Sequence, residues 1–150
     1  MNTHTTEPRP IVPGAFGAAL TGAVLAYGAV HFFSWVERQN ARACETTDGL
    51  CWTWWDWTAV PLALTTALIV LMTVYKRLGI GPRLAIVPPT VLLAVFPLAA
   101  ARADFGPWAA ALAGGAWAGC LALAAWDRCR ALGLSAAAVL LLASLVVLYR

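Results

Sequence analysis

Long apolar runs alternate with short charged intervals along almost the whole chain. Pro10–Val36, Trp57–Tyr75, Leu84–Ala101, Phe105–Trp126 and Ala131–Tyr149 contain no Asp, Glu, Lys or Arg. Each run is close to the ~20 residues a helix needs to cross ~30 Å of hydrocarbon. The pattern predicts an all-α, polytopic transmembrane bundle with five spans, at about 12–36, 57–75, 84–101, 107–126 and 132–149. These leave no room for a separate soluble domain, so residues 11–150 read as one membrane domain. Residues 1–10 are polar, hold Pro8 and Pro10, and are expected to form a mobile tail.

Prolines qualify two of the runs. Pro61 is expected in or near the first turn of the second helix, where a missing N–H costs little. In the third, Pro88-Pro89 allows two readings. A helix starting at Pro88 has about fourteen residues, ~21 Å, which is short for a crossing and suits a re-entrant segment. A helix starting at Leu84 is long enough but carries the double proline in its second turn, with a kink expected there. The first reading gives four spans plus a re-entrant segment, the second gives five. The second is adopted on length.

Small residues recur at helical spacing on two runs. Gly14, Ala18, Gly22 and Ala26 form one face of the first, and Ala111, Gly115 and Gly119 one face of the fourth. Such faces let backbones approach closely in lipid, where apolar burial no longer drives helix association. The two are expected to meet, with Trp117 pointing elsewhere. Trp35, Trp52, Trp54, Trp55, Trp57 and Trp108 sit at run boundaries and are expected to anchor the interface, with Tyr75 as a further belt residue. His31 is the one ionisable group inside a span. With Pro88 and Pro89 it is the candidate lining of an intramembrane pocket.

Composition agrees with a bilayer as solvent: 61% of residues are hydrophobic and 11% charged, against about a quarter charged in soluble domains. Nine of the ten basic residues are Arg, and they lie singly or in pairs beside apolar runs. Nucleic-acid binding would need them clustered on one folded face, so lipid headgroups are their expected partners. With the N-terminus inside, five spans put Arg9, Lys76, Arg77, Arg83, Arg128 and Arg130 on the cytoplasmic side and Arg38, Arg42, Arg102 and Arg150 outside. This excess agrees with the positive-inside rule. The Ala, Leu, Gly and Arg bias and the hydropathy profile resemble those of the small multi-pass integral membrane proteins of high-GC, actinobacterial-type bacteria. That resemblance implies a bacterial plasma-membrane protein and carries no function across.

The longest polar interval, Cys44-Glu-Thr-Thr-Asp-Gly-Leu-Cys51-Trp-Thr-Trp-Trp-Asp-Trp57, is expected outside. There Cys44 and Cys51 can close a disulfide around the Asp48-Gly49 turn. The chain resembles the vitamin K epoxide reductase type in size and in its loop cysteine pair. It departs where that family carries a C-x-x-C. Cys120 and Cys129 are nine residues apart, about 13 Å along one helix and beyond the ~7 Å reach of a disulfide. It is also similar in length, expected span number and tryptophan content to the tryptophan-rich sensory (translocator) family, without a shared motif. No carboxylate lies in a span to couple protons, no metal-ligand motif and no phosphate loop is present, and no cofactor is expected. The reading is non-enzymatic: an accessory or scaffold subunit that packs on another membrane protein or a second copy. The alternatives are a small-molecule binder or facilitator built on the broken third helix and, behind it, a membrane thiol oxidoreductase.

Overall fold

The computed structural model describes residues 11–45, 53–79 and 83–150. The N-terminal tail, the Asp48-Gly49 turn, Cys51 and Trp52 lie outside them. Among the described residues there are six helical segments and no strand. They are α1 (Ile11–Cys44), α2 (Trp54–Leu78), α3 (Arg83–Leu93), α4 (Val95–Phe105), α5 (Pro107–Leu123) and α6 (Arg130–Leu148). The all-α bundle is as expected. Four helices are long and apolar enough to cross a membrane: Val12–Cys44, Trp57–Leu78, Ile86–Ala103 and Arg130–Leu148.

The fourth span differs from expectation. α5 stops at Leu123, and residues 124–129 form a chain of turns that takes Trp126 out of the helix. Its 17 residues measure about 25 Å, shorter than the hydrocarbon. α5 is instead the central helix, packed against α1, α3, α4 and α6. A helix lined on most sides by protein does not have to match the lipid thickness itself.

α1 and α5 run antiparallel. Ala15 faces Gly119, Ala19 faces Gly115 and Gly119, and Ala23 faces Gly115. On the adjoining row Gly22 meets Gly114 and Ala118, and Ala26 meets Gly114. A β-carbon at Gly22 would sit 2.6 Å from the Gly114 carbonyl oxygen. The two backbones are therefore as close as the small side chains allow, and dispersion between them supplies the cohesion that the hydrophobic effect cannot supply in lipid. At the far end Gly133 of α6 brings the same closeness, with its would-be β-carbon 2.5 Å from the Cys120 carbonyl.

α3 and α4 form one rod interrupted at Ala94 (φ −60°, ψ −22°), with the Leu98 N–H bonding the Ala94 carbonyl at 3.1 Å. The interruption corrects the expectation of a kink at Pro88-Pro89, which lie within α3. Pro97 accounts for it. Its ring has no N–H for the Leu93 carbonyl and crowds that carbonyl, so the ladder fails one turn earlier, at Ala94. Pro61 also lies deeper than expected, because α2 begins at Trp54.

The rod runs the length of the bundle. Near one end Val87 belongs to a cluster with Tyr75, Leu71, Ala18, Val91 and Ala122. Near the other, Arg102 pairs with Glu37 of α1 at 3.3 Å, with both side chains exposed. α4 turns into α5 through the single residue Gly106 (φ 83°, ψ −166°), a conformation open to glycine alone. The start of α1 lies beside the end of α5, since Gly14 packs on Trp126. α6 returns to the other end, where Ser144 and Val147 share a hollow with Ala109 and Leu112. The described ends of the chain are thus at opposite ends of the bundle.

Candidate functional site

The break in the α3–α4 rod faces a cavity on the α2 side of the bundle. Pro97 interrupts the ladder, Thr90 lies one turn before Ala94, and Gly22, Ala26, Gly114 and Ala118 keep α1 and α5 thin at the same level. α2 packs against α1 and α3 and has no comparable contact with α4. The result is a half-open cavity of about 310 Å³ between α1, α2, the α3–α4 break and α5. Phe33, Leu64, Val91, Val95, Leu98 and Trp117 form much of its wall.

Its polar groups are internally satisfied. The Thr90 hydroxyl donates to the Ile86 carbonyl at 2.6 Å, and Trp117 Nε1–H donates to the Thr90 carbonyl at 2.9 Å. The second bond anchors the indole against the rod four residues before its interruption. Among the described residues no buried side-chain nitrogen or oxygen lacks a partner. Among the described residues no titratable side chain lines the cavity, and no group of three His, Cys, Asp or Glu is placed to hold a metal ion. Such a site can take up apolar matter, and it presents neither a nucleophile nor an acid–base pair.

The expected pocket residues are not brought together. His31 is exposed on α1, edge-on to Tyr27 with ring centroids 4.3 Å apart, and lies outside the cavity. Pro89 lines a different hollow, between α3, α5 and α6, and Pro88 lines neither. An imidazole at this level turns to the aromatic boundary, because the inward face of α1 is occupied by small residues against α5.

Gly115 and Gly119 do face α1, though against the Ala15/Ala19/Ala23 row and not the expected Gly14/Ala18/Gly22 row. Gly22 meets Gly114 and Ala118, and Ala18 joins the buried cluster. Gly14 accommodates the ring of Trp126, and Ala111 is half-buried. Trp117 is buried, with its indole N–H on the Thr90 carbonyl of α3.

Tyr75 is not a belt residue: it is fully buried, with its hydroxyl 3.4 Å from the Ala118 carbonyl. The boundary tryptophans collect at one end. Trp54, Trp57 and Trp108 are largely exposed, Trp35 stacks on Phe32 and meets Trp55 edge-on at 5.1 Å, and Trp108 lies 5.3 Å from Tyr27. Cys120 and Cys129 are free thiols, in α5 and in the turn after it. Sequence reasoning missed Thr90, Trp117 and Gly114. The available signal was Thr90, the one hydroxyl side chain in the third run, standing opposite the one tryptophan in the middle of a run.

No protein-family model, curated protein or solved structure matches the chain.

Proposed function

We propose that this is a non-catalytic integral membrane protein of the bacterial plasma membrane that holds a small apolar molecule beside the break of its third span. The carrying observation is the 310 Å³ cavity without a titratable lining. It is about twice the ~150 Å³ apolar cavity that stays dry and takes up benzene. A ligand on the order of a dozen carbon atoms matches that volume. Lipid tails and other membrane-dissolved compounds are the chemical class.

This reading is favoured over an accessory or scaffold role by the fate of the small-residue faces. A scaffold would need such a face left open for a partner helix or a second copy. In the fold they are occupied by each other. The outward faces carry large apolar side chains such as Phe16, Leu112, Val139 and Leu142, which suit lipid.

The proposed orientation has the N-terminus in the cytoplasm and the Cys44–Cys51 loop outside, closed by a disulfide. Among the described residues Cys120 and Cys129 are the free thiols and Cys44 is not among them. Native mass spectrometry after purification in mild detergent tests the ligand. The wild type should carry a small apolar adduct, and Ala63→Trp, which fills the cavity from α2, should lose it. An adduct-free wild type, or equal loading of both proteins, would overturn the binding reading. Stoichiometric co-purification of another membrane protein would restore the scaffold.

A further inference from the structure

A second hollow of about 450 Å³ lies on the opposite side of Trp117, between α3, α5 and α6. It differs from the first in having a charged mouth. Its floor and walls are apolar (Pro89, Leu93, Leu121, Leu134, Ala138), and at one end stand Asp127, from the turn before α6, and Arg130, the first residue of α6. Both charged side chains are exposed, and neither pairs with another described residue.

We propose that this groove binds one phospholipid from the leaflet at the Asp127–Arg130 end. Its acyl chain would lie along α6, its phosphate on Arg130 and an amine headgroup at Asp127. Three observations select that occupant. The groove follows α6 from Arg130 to Leu141, a rise of about 16 Å, which is half of the ~30 Å hydrocarbon thickness and so the depth of one leaflet. The groove is half open along its length, with exposed Leu134 and Ala138 among its lining residues, so an acyl chain from the surrounding lipid can enter it from the side. The charge sits only at the headgroup level, where a guanidinium offers forked donors to a phosphate and a carboxylate accepts from an ammonium.

The site is independent of the cavity at the helix break, because Trp117 separates the two and the Ala63 substitution does not touch it. Native mass spectrometry of the full chain, released from bilayer discs of mixed phosphatidylethanolamine and phosphatidylglycerol, tests it. The wild type should retain one phospholipid, enriched in phosphatidylethanolamine. Ala138→Trp, which blocks the groove from a lipid-facing position, should abolish retention. Arg130→Gln leaves the apolar walls intact and should reduce retention about tenfold. Asp127→Asn should remove the preference for the amine headgroup. Val139→Trp, on the outward face of the same helix, should retain lipid like the wild type. The proposal is overturned if the wild type keeps no lipid, if the retained species contains no phosphate, or if Ala138→Trp and Arg130→Gln load as the wild type does.

Discussion

Gly22 and Gly28 stand less than two turns apart on α1, and an added methyl group has opposite consequences at the two. At Gly22 it would meet the Ala118 methyl and the Gly114 carbonyl, whereas at Gly28 nothing lies within 4 Å. Gly22→Ala should therefore force α1 and α5 apart and destabilise by about 1–3 kcal/mol through overpacking. Gly28→Ala should be neutral or stabilise by up to about 1 kcal/mol, the helix-propensity difference. Thermal melting in detergent should lower the midpoint for the first and not for the second, and a fall of equal size for both would refute the close-contact account. Gly106 is sensitive for another reason. It has open space around it, but its φ of 83° with ψ −166° is a region that side chains avoid, so Gly106→Ala should cost about 1–3 kcal/mol through the backbone alone. That both helices carried small faces was visible from the four-residue recurrence. Which rows would meet was not, because Gly14-Ala18-Gly22 and Ala15-Ala19-Ala23 are adjacent columns of nearly equal size. A rotation of one residue, about 100°, exchanges them, and only the whole bundle fixes it.

The elements themselves were legible because charge-free length decides them. Their interruptions were legible only in part. Three prolines in one run announce a broken rod, but Pro88 and Pro89 leave without donors the carbonyls of Leu84 and Ala85, in the first turn of α3, where a helix interior has hardly begun. Pro97 disturbs Leu93, in the middle of the rod. Pro97→Ala should restore the ladder across Ala94 and raise the melting midpoint, while Pro88→Ala should leave the interruption in place. The cavity depends on that break, so Pro97→Ala should also reduce loading of the apolar adduct, and an unchanged loading would detach the cavity from the break. Trp117 belongs to the same unit. Trp117→Phe removes the donor to the Thr90 carbonyl in an apolar surround, which should cost about 1–3 kcal/mol. The end of α5 was misread because Leu123-Ala124-Ala125-Trp126 is as apolar as the helix before it. No breaker marks the stop, and tertiary contact with Gly133 and Gly14 determines it.

For the whole molecule, the question that charge leaves open is which end faces which compartment. Counting Lys and Arg gives six against four for five crossings, and the same margin for a re-entrant third run. The α3–α4 rod reaches from the Tyr75 level to the Glu37 level, and Ile86–Ala103 within it is long and apolar enough to cross a membrane, so five crossings is the topology we propose. Five crossings would put the described ends on opposite sides. With the positive-inside excess at the Trp126 end, the N-terminus should be cytoplasmic and Arg150 exposed outside. A fluorescent protein that folds only in the cytoplasm should glow on the N-terminus and stay dark on the C-terminus, and a periplasmic phosphatase should show the reverse. Thiol chemistry gives an independent reading on the unfused chain. Cys129 is a half-buried free thiol in the turn between α5 and α6, at the Trp126 end. A membrane-impermeant maleimide should reach it only after the cells are opened. The same reagent should label Cys44 and Cys51 from outside, and only after reduction, because a disulfide outside the membrane persists. Labelling of Cys129 in intact cells would invert the orientation. Labelling of Cys44 and Cys51 without reductant would remove the bridge and leave the crossings as they are.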